Sequence, residues 1–214
     1  MRARVLAAAT TVVAVSVLVG VYGRAPQART TSPSLITRCG SERWPVKTLT
    51  DASASNVQFG SIKETTVTRL RRLKAPAVLK ATTPRRSGAE RNVYHVTVLL
   101  SSMRKEDDSD IHLVVSDPKL GGSMIVEFPS STCTIGGEKA ERKSMAKARA
   151  ELATACDGES GAKPVTLTGT ATITGVGYFD PIHGQTGVAP NGIELHPVLA
   201  FASTNCKRVA TPPP

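Results

Sequence analysis

Only one stretch of the chain reads as a long amphipathic helix, and it lies between segments patterned as β-strands rather than before or after them. In "EKAERKSMAKARAELATAC" (138–156), Met145, Ala148, Leu152 and Cys156 recur at three- and four-residue spacing, a narrow apolar stripe on a charged segment. A helix with so thin a stripe buries one line of side chains, and the partners on offer are strands.

Before the helix, "SIKETTVTRL" (61–70) is β-branched but poorly alternating, and reads as a first strand. "NVYHVTVLL" (92–100) is a stronger second: Tyr94, Val96, Val98 and Leu100 share one side, His95 and Thr97 the other. "SDIHLVVSD" (109–117) is a third, with Ile111, Leu113 and Val115 opposite Asp110 and His112. "SMIVEF" (123–128) either extends it past a Gly-Gly turn or folds back as a hairpin. After the helix come "PVTLTGTATITGVGYF" (164–179) and "GIELHPVLAF" (192–201), where Glu194 and His196 oppose Ile193, Leu195, Leu199 and Phe201. Pro197 predicts a bulge or an edge. Three strands, a helix and two strands is the chain order of the OB-fold, a small Greek-key barrel. A sandwich would need about seven strands. The expected fold is therefore all-β with one helix: a five-stranded OB-fold-like barrel, the helix between strands three and four.

The chain opens "MRAR" and runs without a charge from Val5 to Tyr22. A basic start before an apolar run is an export signal, and this run also reaches the minimum length for spanning a bilayer, about 18–20 residues. Residues 1–28 thus read as a signal peptide or N-terminal anchor, 29–38 as a flexible linker, 39–206 as the barrel domain and 207–214 as a disordered tail. No other stretch reads as transmembrane, and the chain is expected to be secreted or extracytoplasmic and monomeric. Cys39, Cys133, Cys156 and Cys206 contain no C-x-x-C pair, so disulfides are expected. Cys133 and Cys156 bracket the helix, and a bridge there would be worth about 3 kcal/mol. That pairing leaves Cys39 with Cys206.

The formal charge of +10 falls to +7 once Arg2, Arg4 and Arg24 leave with the signal. Between Lys63 and Arg91, nine bases face only Glu64 and Glu90. With 61–70 as strand one, this segment is the loop between the first two strands, which borders the OB binding face. Arg71, Arg72, Lys74, Lys80, Arg85, Arg86 and Arg91 then form a candidate surface for a polyanion, nucleic acid or cell-wall glycan. The few aromatics argue against a nucleic-acid specialist, so cell-wall or glycan polyanions are as credible as nucleic acid, and an extracellular protein is the other partner class.

The polar side of the strands carries a second candidate. His95, His112 and His196 all oppose the apolar side, and Asp110 and Glu194 share the sides of His112 and His196. In an OB barrel these would converge on one outer face, with His183 in the loop above. Imidazoles and carboxylates in that arrangement would suit a divalent ion, and through it a metal-dependent hydrolase such as a secreted nuclease. Ordinary cross-strand hydrogen bonding is the plainer alternative, no cofactor is certain, and no H-E-x-x-H or G-x-S-x-G is present. In "DPIHGQTGVAPNG" (180–192), Asp180, His183 and Gln185 are the polar reach of a long loop. The acidic run "EDDSD" (106–110) lacks EF-hand spacing and reads as a solvated turn.

"CGSERWPVKTLTD", "EDDSDIHLVV" and "GVGYFDPIHGQTGVAPNGIELHPV" together resemble a family of uncharacterised exported bacterial proteins with an OB-like domain. The resemblance implies no activity and no functional residue. The aspartate and arginine motifs of staphylococcal-type nucleases are not recognisable in the chain.

Overall fold

The structure, a computed structural model, describes residues 39–209. The expected signal or anchor, the linker and the last five residues of the tail lie outside them. In chain order the elements are α1 (Trp44–Lys47), β1 (Ile62–Glu64), α2 (Val67–Leu70), β2 (Val93–Lys105), β3 (Ile111–Ser116), β4 (Ser123–Phe128), α3 (Lys139–Ala155), β5 (Val165–Thr168), β6 (Thr170–Phe179), β7 (Ile193–Ala202) and β8 (Lys207–Arg208).

Five strands close a barrel in the order β2-β3-β4-β7-β6, with β6 pairing back onto β2. Every joint is antiparallel except β4–β7. The 13-residue β2 closes it by bending: a register shift between Leu100 and Ser102 turns it from β6 towards β3 and β5. A second irregularity in β6–β7 lies opposite His196 and Pro197, where the proline predicts a bulge. Inside, Val96, Val98, Leu113, Val115, Val126, Phe128, Ile173, Leu195 and Phe201 form the core, and α3 adds Ala148 and Leu152.

The expected barrel, with its long helix between the third and fourth barrel strands, is present, but its strands are numbered differently. "SMIVEF" is the third barrel strand, and residues 61–70 are outside the barrel. Only Ile62–Glu64 pair, parallel to Val93–His95. The β-branched run after them makes one helical turn, in which Thr66 Oγ1 accepts from the Arg69 amide at 3.2 Å and Val67 and Leu70 are buried. The i,i+3 spacing of those two residues outweighs their strand propensity.

The disulfides are Cys39–Cys133 and Cys156–Cys206, with Cα separations of 5.6 and 5.1 Å, so both expected pairings are wrong. The helix is the reason. Cys133 precedes α3 and Cys156 caps its far end, and the 17 helical residues between them form a rod about 25 Å long. A bridge reaches about 7 Å between Cα atoms. The second bridge also orders Lys207–Arg208, the expected start of the tail, which pair with β5. Two disulfides fit an oxidising, extracytoplasmic compartment. No helix among the described residues is long and apolar enough to cross a membrane.

The outer face of β6 and β7 is roofed. Residues 43–59 lie over it, with Leu49 and Val57 packing against Val93, Val176 and Met145 in a second apolar cluster. A polar tie holds the other end of the barrel. Asp117 accepts from the amides of Lys119 (3.0 Å), Leu120 (3.1 Å) and Thr68 (3.1 Å), joining α2 to the β3–β4 turn. Burial alone would raise this carboxyl, but those amides outweigh it and hold it well below the usual range. A depressed folded-state pKa adds stability above the unfolded value of about 3.9, and that stability is lost as pH falls below it. Asp117→Asn should therefore cost about 1–2 kcal/mol at pH 7. The gap to wild type should shrink at pH 3, as urea denaturation at the two pH values would show.

Candidate metal centre

Strand register brings the site together. His112 on β3 stands directly opposite Glu127 on β4, and Tyr178 on β6 opposite Glu194 on β7. The parallel β4–β7 joint sets Glu194 beside Ile125 and Leu195 beside Val126, so His196 comes next to Glu127. Asp110 enters from just before β3, fixed by the Ser130 amide on its Oδ1 at 2.9 Å.

His112 and His196 do converge, as the alternation predicts, but on a buried face rather than an exposed one. Side-chain exposure is 0% for His196 and Asp110, 2% for Glu194, 3% for His112 and 6% for Glu127. The acidic turn is also not a solvated loop: Glu106 and Asp108 are half-buried and Asp110 fully so.

His112 Nε2 lies 3.0 Å from the Thr186 carbonyl, which can only accept, so Nε2 carries the proton. Gly187 makes this contact reachable. Its φ is +84°, and a Cβ there would strike Val114, so the loop lies flat on β3 only with glycine. His112 Nδ1 then faces Glu106 Oε1 at 3.1 Å and Glu127 Oε1 at 3.3 Å. A lone pair aimed at two carboxylates is repulsive unless a cation, proton or metal, sits between them. His196 has a carboxylate at each nitrogen, Glu127 Oε2 at 2.9 Å from Nδ1 and Asp110 Oδ2 at 3.3 Å from Nε2. Neither nitrogen makes an aligned hydrogen bond, and Asp110 Oδ2 and Glu194 Oε2 are likewise buried without one.

Asp110, Glu127 and His196 offer ligand atoms that all lie within 4.8 Å of one another, and so do Glu106, His112 and Glu127. Around a tetrahedral ion with bonds of about 2.1 Å, ligand atoms sit roughly 3.4 Å apart. The imidazole–carboxylate distances, 2.9 to 3.3 Å, are close to that.

Without an ion, protons take its place. Burial disfavours the His112 imidazolium, but Glu106 and Glu127 outweigh it and push the group up to about 10. His196 rises to about 9, as Glu127 and Asp110 overcome its burial. Glu127 is held well below its ordinary value, its burial outweighed by His196 and His112. Glu194 is pushed well above it by burial, then by Glu127 and Asp180. Lys47 supplies a permanent cation 3.5 Å from Asp180 Oδ1. It and Arg43 stand over the Tyr178 ring, which meets His196 edge-on. A cleft of about 550 Å³ lined by Trp44, Lys47, Arg104, Glu106, Asp108 and His183 opens beside the cluster. Lys47 and Glu106 belong to both, so the cleft is its solvent side.

Other expected site residues lie elsewhere. His95 bonds Thr174 Oγ1 at 2.9 Å and takes no part. His183 is exposed, 3.5 Å from Asp180. Gln185 turns inward, donating to Asp180 (2.7 Å) and the Pro181 carbonyl (2.9 Å). Arg85 is buried in an ion pair with Asp51 at 2.7 Å, so it presents nothing to a polyanion. Arg71 donates to the Ser123 carbonyl and Arg91 is half-buried, while Arg72, Lys74, Lys80 and Arg86 are exposed. Because the first barrel strand is β2, the loop after it is the acidic 106–110, not the basic segment. Glu127 was missed, and Glu106 was assigned to a solvated turn. The alternation of "SMIVEF" points Glu127 to the His112 side once that segment is paired as a hairpin. Comparison of the chain with protein-family models, with curated proteins and with solved structures finds no match.

Proposed function

We propose that the protein binds a divalent transition-metal ion through Asp110, Glu127 and His196, and uses it in hydrolysis of an extracytoplasmic substrate reached through the adjoining cleft. The observation that carries this is His196: fully buried, with a carboxylate at each nitrogen and an aligned hydrogen bond at neither. A mixed imidazole and carboxylate set suits zinc or manganese more than magnesium or calcium. An ion with an open position lowers the pKa of bound water and polarises a substrate oxygen. Lys47 and Arg104 in the cleft can hold a negatively charged group next to it. The uncharged run from Val5 to Tyr22 supports export, with the signal removed or kept as an anchor.

Titration calorimetry of tag-free protein with Zn²⁺ tests this. The tighter binding event should weaken at least a hundredfold in His196→Gln and Asp110→Asn, with the far-ultraviolet spectrum unchanged. No binding by the wild-type protein, or equal binding by both variants, overturns it.

A separate observation favours polyanion binding. Arg72, Lys74, Lys80 and Arg86 all project into solvent from the segment before β2. Replacing all four by alanine should lower the salt at which the protein leaves heparin. Against single-stranded DNA, the salt slope should fall by roughly 0.7 for each phosphate contact removed. An unchanged elution position would rule this surface out.

A further inference from the structure

The Asp110–Glu127–His196 group uses only one side of Glu127. The two oxygens of that carboxylate face different imidazoles, Oε1 at 3.3 Å from His112 Nδ1 and Oε2 at 2.9 Å from His196 Nδ1. On the His112 side, Glu106 Oε1 completes a second group whose ligand atoms lie within 4.8 Å of one another. The two groups share Glu127 and nothing else. A carboxylate with one oxygen committed to each of two ligand sets is the element that holds paired ions about 3.5–4 Å apart in two-metal hydrolytic sites.

We propose that the centre is dinuclear and asymmetric: Glu127 bridges an enclosed ion, held with Asp110 and His196, and an exchangeable ion, held with Glu106 and His112 at the floor of the cleft. This rests on the metal binding proposed above and extends it to a second ion with a different role. Asp110 and His196 are fully buried, so the first ion is the more enclosed of the two and exchanges more slowly. Glu106 is 27% exposed and lines the cleft, so the second ion keeps positions open to water or substrate. The Nε2–H of His112 is fixed on the Thr186 carbonyl, which leaves Nδ1 as the ligand atom. The same loop that carries His183 and Gln185 therefore sets the imidazole of the open ion.

The test uses the full-length, tag-free chain stripped with EDTA, reloaded with Zn²⁺, and analysed for zinc by mass spectrometry. Two ions per chain are expected. On challenge with EDTA they should leave in two phases of equal amplitude, the first at least tenfold faster. These two measurements need no variant, so a misfolded mutant cannot decide the matter. His112→Ala should retain one ion and only the slow phase, and His196→Gln one ion and only the fast phase. Glu127→Gln should weaken both at least tenfold. One ion per chain, unaffected by His112→Ala, overturns the dinuclear centre and leaves single-ion binding standing. Two ions leaving in one phase overturn the division into enclosed and exchangeable sites. No ion at all overturns the metal centre itself.

Discussion

Replacing Arg43 with methionine should destabilise the protein by about 3–5 kcal/mol, the cost of stranding one member of a buried ion pair. All five guanidinium donors of Arg43 are satisfied. Two reach Glu90, Nη1 to Oε1 and Nη2 to Oε2, each at 2.7 Å. The other three reach the carbonyls of Phe179 (2.7 Å), Thr83 (2.9 Å) and Pro84 (3.2 Å). Glu90 in turn accepts from the amides of Arg86 (2.6 Å) and Phe179 (3.1 Å). Both side chains are completely buried. One arginine thus ties the roofing segment, the loop before β2 and the end of β6 to a single point. Methionine keeps most of the volume and removes every donor, leaving a carboxylate that neither water nor another cation reaches. Urea denaturation should show the lowered midpoint with an unchanged slope. Arg43→Met/Glu90→Leu should recover part of the loss, because the pair as a whole contributes much less than the penalty for breaking it. A loss below 1 kcal/mol in the single variant would show that the clasp is not closed in solution.

Removing the Cys39–Cys133 bridge should cost about 4 kcal/mol, since it closes a loop spanning 94 residues. For a domain of this size that corresponds to a fall of roughly 10 °C in Tm. The bridge fastens the start of the roofing segment to the connection between β4 and α3. In Cys39→Ala/Cys133→Ala the loss should therefore be accompanied by faster amide exchange in residues 43–59, while the interior of β2 stays protected. Peptide mapping of the unreduced wild-type protein should give only Cys39–Cys133 and Cys156–Cys206. A Tm unchanged by the double substitution would mean that the roof docks without its staple.

What the chain declares in advance is whatever depends on local period. Tyr94, Val96, Val98 and Leu100 are buried as their alternation requires, and the stripe of Met145, Ala148, Leu152 and Cys156 is the buried face of α3. Order of elements then yields the barrel. What stays hidden depends on contacts distant in sequence. "SMIVEF" carries the same alternation whether it extends a strand or returns beside it, so Glu127 could not be set opposite His112 without its partner. Residues 43–59 have neither strand nor long-helix periodicity, and so nothing announced that they would cover the polar face. Cysteine pairing likewise became decidable only when the helix supplied a distance. Arg85 was miscounted as a surface charge because composition does not register Asp51, 34 positions away.

The parallel joint between β4 and β7 registers only two residue pairs, Ile125 with Glu194 and Val126 with Leu195, against six or seven in the flanking joints. Just past those pairs sit Glu127 on one strand and His196 on the other. A cation shared between them would act as a rivet at the thinnest seam of the barrel wall. Filling the centre would then also lock the wall shut, so that stripping the ion would loosen the stave as well as empty the site.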